Sequence, residues 1–103
     1  MKIALSEIAH TRSGDKGDTV NIGVIAYKSE YYPLLLREVT PERVKAHFGD
    51  LVKGNVIRYE LPNLPALQFV CERALDTGVT TSLAIDPHGK TMSYALLELL
   101  IDA

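Results

Sequence analysis

The sequence predicts an α+β domain: a two-layer sandwich with helices on one face of an antiparallel or mixed sheet. Three observations carry this. Residues 20–27 are close to continuously apolar, residues 56–61 alternate between apolar and charged side chains, and segments of helical period lie between and after them. The length of 103 residues suits one domain, 1–103, around one core. Hydrophobic residues make up 47%, too many for a disordered chain.

Residues 2–9 read as a strand of mixed pattern. Residues 11–19 hold two glycines, mixed charges and no large apolar side chain, which reads as a loop. The apolar run 20–27 suits a central strand covered on both faces, with Gly23 marking a bulge or a close backbone approach. Pro33 fits the first turn of a short helix carrying Leu34, Leu35 and Leu36. Thr40 reads as an N-cap with Pro41 at the first helical position, and Val44, Phe48 and Leu51 extend a buried stripe that Gly49 stops. In Val56–Leu61, Ile57, Tyr59 and Leu61 share one face and Arg58 and Glu60 the other, so the apolar three are expected to face the helices. Asn63 can cap a helix over 64–75, with Leu64, Leu67, Val70, Cys71, Ala74 and Leu75 on one side. Residues 80–85 read as a short strand closed by Asp86, Pro87 and Gly89. Residues 90–101 are helical by spacing, with Tyr94, Leu97 and Ile101 forming a second apolar face for another chain; the run 96–101 also reads as a strand. This order fits a ferredoxin-like arrangement best.

Composition narrows the partners. A net charge of −2 gives no reason to expect nucleic acid or an anionic membrane. No stretch is long and apolar enough to span a bilayer, and the N-terminus lacks a signal-peptide pattern. One cysteine cannot form an internal disulfide, so a cytoplasmic location is the expectation. Three scattered histidines and Cys71 show no zinc spacing, so no metal is expected. His47 and His88 read as surface residues, Cys71 as a buried inert thiol, and the pair Tyr31 and Tyr32 as a staple at a helix start.

The chemistry concentrates in residues 10–21. Gly14 and Gly17 flank Asp15 and Lys16, so the backbone can turn and present N–H groups as a concave anion site. Arg12 would add a planar fork for carboxylate or phosphate, and Lys16 a point charge. The spacing is neither that of a phosphate-binding P-loop nor a dinucleotide fingerprint, and Asp15 and Asp18 lack the calcium-loop pattern. The candidate ligand-binding residues are therefore Arg12, Ser13, Gly14, Asp15, Lys16, Gly17 and Asn21. His10, Arg12, Asp15 and Lys16 are the candidates for catalysis, and no cofactor is indicated. A solvated turn has the same composition, so a passive hairpin is the competing account.

Several segments, taken together, resemble the AtuA-like family, named for acyclic terpene utilisation. They are Ser13-Gly-Asp-Lys-Gly17 followed by Asn21-Ile-Gly-Val-Ile25, Tyr31-Tyr-Pro, Arg43-Val-Lys-Ala-His-Phe-Gly49, Tyr59-Glu-Leu-Pro-Asn-Leu64 with Ala66-Leu67, and Ser82-Leu83 leading to Gly89-Lys90. The resemblance implies a small ferredoxin-like domain that stands beside a much larger AtuA-like subunit, or is fused behind it. It also implies breakdown of terpenoid, branched or short acyl compounds as coenzyme A thioesters. The expected partners are thus the large AtuA-like subunit, further copies of this chain, and an acyl-CoA or other anionic small molecule. Four readings stay open: an accessory subunit with residues 12–21 at the shared active site or interface, an independent binding module for a small anion or an acyl-CoA phosphate, a free-standing enzyme with His10 as base, and a purely structural assembly domain. A domain of this size is expected to have little room for an enclosed cavity of ~300 Å³ or more.

Overall fold

The computed structural model describes residues 2–16, 19–73 and 88–103, with the side chains of residues 15, 16 and 88–91 left out of the description. The strand expected over 80–85 lies outside the described residues, as do Gly17 and Asp18. The elements are β1 (Lys2–Ala4), β2 (Ala9–Lys16), β3 (Thr19–Ala26), α1 (Tyr32–Glu38), α2 (Pro41–Phe48), β4 (Val56–Leu61), β5 (Ala66–Cys71), α3 (His88–Leu96) and β6 (Leu100–Asp102).

An antiparallel four-stranded sheet runs in the order β2-β3-β5-β4, and β1 pairs with β6 as a separate antiparallel ribbon. Because β3 and β4 both run antiparallel to β5, they are parallel to each other with β5 inserted between them. The connection through α1 and α2 therefore makes a split βαβ unit, the kernel of a ferredoxin-like α+β sheet. The helices lie on one face.

Strand periodicity explains the core. On the helix face, Val20, Ile22 and Val24 of β3 stand beside Cys71, Phe69 and Leu67 of β5, and all six are fully buried. The expected interior position of the 20–27 run holds: β3 lies between β2 and β5. Its burial alternates, however, and the second face is only half-buried. No bulge occurs at Gly23, which stays in register with Arg12 and Gln68.

Helix ends follow local chemistry. The Thr40 side chain accepts from the Arg43 N–H at 3.2 Å, and α2 stops at Gly49 with φ +58°. Pro33 lies in the first turn of α1. The Arg58 guanidinium donates to the Leu36 and Val39 carbonyls at 2.9 and 3.0 Å, satisfying the C-terminal end of α1. Glu38 accepts from Arg43 and from the Asp102 backbone N–H, both at 2.8 Å, and so pins β6 to the helix layer.

Six expectations are corrected. The strand read over 2–9 is broken: β1 covers only Lys2–Ala4, a 3-10 turn follows at Leu5–Glu7, and β2 begins at Ala9. Residues 11–16 are strand rather than loop, because they continue the antiparallel register with β3, which takes up the backbone groups on that side of β2. The helix expected over 64–75 is instead strand β5 from Ala66, since residues 62–65 turn the chain back onto β4 and both edges of β5 find partners; residues 74–75 lie outside the described residues. The alternation in β4 is right but its faces are reversed. Ile57, Tyr59 and Leu61 lie away from the helices, because Arg58 and Glu60 sit at the margin of the helix layer where charge can cap α1 and still reach water. The terminal helix ends at Leu96, and Ile101 is buried in β6, so the second apolar helical face does not form; Tyr94 remains exposed. Leu51 is exposed, and Val52 takes the buried place.

Candidate functional site

The face of the sheet away from the helices is built in rows. One row reads Arg12, Gly23, Gln68, Tyr59 across β2, β3, β5 and β4. The row beside it reads His10, Ile25, Ala66, Leu61, and on the other side Gly14, Asn21, Val70, Ile57. Gly23 and Ala66 leave the middle of this face without bulk. The result is a cleft of about 460 Å³. Gly23 and Gln68 form its floor, Ile25, Leu61, Leu64 and Ala66 an apolar wall, and His10, Arg12, Gly14 and Asn21 a polar rim. The cleft lies open on the sheet surface and needs no second layer, so it is not the enclosed cavity for which so short a chain has little room.

Gly23 keeps the floor of the cleft open. A Cβ there would meet the Gln68 side-chain oxygen at 3.3 Å and would fill the floor. The wall depends on the β4–β5 turn, held by the Leu64 N–H to the Leu61 carbonyl at 3.0 Å and by the Ala26 N–H to the Pro65 carbonyl at 3.0 Å. Leu64 projects from this turn and is 64% exposed.

The rim is polar and uncommitted. Arg37, Arg43 and Arg58 are tied to carboxylates and backbone carbonyls. The Arg12 guanidinium, by contrast, is exposed and makes no hydrogen bond or ion pair among the described residues. The His10 ring lies 5.3 Å from the Tyr27 ring, and its Nδ1 is buried without a hydrogen-bond partner. An unpaired buried nitrogen costs on the order of 1–3 kcal/mol, so it is a place where a partner group would be gained.

Of the residues singled out in the sequence, His10, Arg12, Ser13, Gly14 and Asn21 come together at this cleft. Ser13 also borders a shallower depression of about 370 Å³ against α3, lined with Thr11, Arg12, Ser93 and Tyr94. There the Thr11 hydroxyl donates to the Ser93 carbonyl at 3.0 Å. Asp15 and Lys16 pair with Val20 and Thr19 at the end of the hairpin, and their side chains lie outside the described residues, as does Gly17. Arg12 and Gly14 lie within strand β2, opposite Gly23 and Asn21 of β3. Sequence reasoning missed the apolar wall of Ile25, Leu61, Leu64 and Ala66, and Gln68 on the floor. The available signal was Gln68 itself, a lone amide in an apolar run.

Other candidates separate from the cleft. Cys71 is buried on the helix face, where burial pushes its thiol up to about 11, so it is inert. His47 is exposed, with Nε2 2.8 Å from the Ala95 carbonyl at the end of α3. His88 opens α3, with its side chain outside the described residues. Among the described residues, no group of three or more His, Cys, Asp or Glu side chains could hold a metal ion. No helix among them is long and apolar enough to cross a membrane.

No curated protein and no solved structure shows significant similarity to the chain. A family model does: the AtuA ferredoxin-like domain matches residues 3–102, nearly the whole sequence. The split βαβ sheet and that match agree, and the chain belongs to the AtuA ferredoxin-like domain family.

Proposed function

We propose that the chain is the small accessory subunit of a two-component AtuA-like catabolic enzyme. Its cleft takes part of an anionic substrate with an apolar chain, of the terpenoid, branched or short acyl-CoA type, at the interface with the large AtuA-like subunit. The observation that carries this reading is the pairing of an uncommitted arginine with an apolar wall in one cleft. A charged donor such as Arg12 fits a carboxylate or phosphate, and Ile25, Leu61 and Leu64 fit a short hydrocarbon chain. The face around the cleft also exposes Tyr27, Tyr59 and Leu64, apolar area that a covering subunit would remove from water.

Co-expression with the large AtuA-like subunit, co-purification and an activity screen on acyl-CoA thioesters test the reading. Arg12→Ala should leave folding nearly intact and lower turnover by tenfold or more, since a desolvated charge-assisted hydrogen bond contributes about 1.5–3 kcal/mol. If Arg12→Ala and Lys16→Ala variants both assemble and turn over like the parent, the residues from 12 to 21 form only a hairpin.

A second reading is an independent binding module for a small anion or an acyl-CoA phosphate. It is favoured by the buried, unpartnered His10 Nδ1 standing with the exposed Arg12 on the rim of the same cleft. It requires measurable ligand affinity by calorimetry without any partner.

A further inference from the structure

Among the described residues, strand β4 closes one side of the sheet, and one row of its backbone groups faces outward without a strand beside it. The phase of the β4–β5 ladder identifies that row. The Glu72 N–H donates to the Asn55 carbonyl at 2.9 Å, and Asn55 opposite Glu72 continues the register Val56–Cys71. Antiparallel pairs alternate between bonded and non-bonded. Asn55, Ile57, Tyr59 and Leu61 therefore bond inward to β5, while Val56, Arg58 and Glu60 turn N–H and C=O outward.

We propose that two copies of the chain pair antiparallel through this edge, about a two-fold axis at Tyr59. In that register each Arg58 stands opposite the second copy's Glu60, and each such pair exchanges both backbone hydrogen bonds. On the opposite face Tyr59 meets Tyr59 and Ile57 meets Leu61. Moving the centre by one residue, to 58 or to 60, sets Arg58 against Arg58 or Glu60 against Glu60. Opposite charges facing each other across strands stabilise a pair and like charges oppose it, so charge selects the Tyr59 register. Arg58 already donates to Glu60 of its own strand at 3.1 Å, and pairing closes a ring of two arginines and two glutamates of alternating sign.

Charged residues on an edge strand ordinarily deter pairing. Here the two charges are complementary under a two-fold, and Tyr59, Glu60 and Leu61 are all exposed. Pro62 follows at once and has no N–H to extend the ladder. The pairing leaves both clefts on the same side of one continuous sheet and brings the second copy's Ile57 beside Leu61, the outer wall of each cleft. It uses the β4 edge, not the cleft, and stands independently of the proposed substrate.

Sedimentation velocity on the full chain over a range of concentrations should show a reversible monomer–dimer equilibrium. Glu60→Arg should raise the dimer dissociation constant tenfold or more. Tyr59→Cys, treated with oxidised glutathione, should give a disulfide-linked dimer, because facing non-bonded residues lie about 4.5 Å apart between Cα atoms, within disulfide reach. Glu60→Cys should remain unlinked, since it faces Arg58, and buried Cys71 serves as the internal control. A monomer at every concentration overturns the proposal. So does a Tyr59→Cys variant that stays unlinked, equal linking at position 60, or an unchanged constant for folded Glu60→Arg.

Discussion

The two faces of the four-stranded sheet carry the same strands to opposite ends. On the helix face the two central strands contribute Val20, Ile22, Val24, Leu67, Phe69 and Cys71, all removed from water, and the charged Arg58 and Glu60 stand at the β4 margin. On the other face the same strands contribute Gly23, Ile25, Ala66 and Gln68, with Tyr59 and Leu64 at 53% and 64% exposure. One face is optimised for burial and the other is kept open by small residues. The difference teaches that hydrophobicity alone does not say which face of an edge strand is inward. In β4 Tyr59, Ile57 and Leu61 look outward from the core, while Arg58 is turned toward it.

The contrast breaks most visibly at Phe69. Phe69→Ala should destabilise the chain by about 3–5 kcal/mol, read from urea unfolding, because a fully buried aromatic leaves a cavity in the helix-face core. Leu64→Ala on the open face should shift stability by no more than about 0.5 kcal/mol. Comparable losses at both positions would mean that the open face is already packed in the isolated chain.

A smaller effect is expected at the exception on the helix face. Arg58→Met keeps the length of the side chain but removes its hydrogen bonds to Leu36 and Val39. It should cost about 1.5–3 kcal/mol and preferentially raise amide hydrogen exchange in the last turn of α1. A stable variant with unchanged exchange would show that the charge is carried on that face for some reason other than capping.

The smallest effect concerns acid. The Asp102 N–H, followed by Arg37 and Arg43, holds the Glu38 carboxyl below its ordinary value of 4.5, against an opposing contribution from burial. A carboxylate whose folded-state value is depressed contributes stability in full above its unfolded value, and that contribution disappears as pH falls through the folded one. Wild-type chain should therefore lose more stability than Glu38→Gln when urea midpoints are compared from about pH 6 down to about pH 3. Parallel curves would show that the β6 anchor does not depend on the charge of Glu38.

Much of the local structure was legible. Thr40 with Pro41, and Gly49, mark α2 because caps are chemistry of adjacent residues. The interior place of β3 follows from its apolar run. In residues 66–71, by contrast, Leu67, Val70 and Cys71 have helical spacing while Leu67, Phe69 and Cys71 alternate, and only pairing on both edges chose strand. His10, Arg12 and Asn21 could be named as site residues from their chemistry. Their setting could not, since the wall of the cleft comes from Leu61, Leu64 and Ala66, far along the chain.

By itself the sequence determined the α+β class, the helix caps, the interior strand, the polar residues grouped between 10 and 21 and the family to which they point. All of these depend on neighbours within a few positions or on a period carried by one segment. Only the tertiary structure decided that residues 11–16 extend as a strand beside β3, that β4 turns Arg58 toward the helices, and that Gly23 and Ala66 open a cleft. Each of those depends on which strand lies beside which. Strand order is set by long-range pairing and by the area of the helix layer, and neither leaves a local mark on the chain.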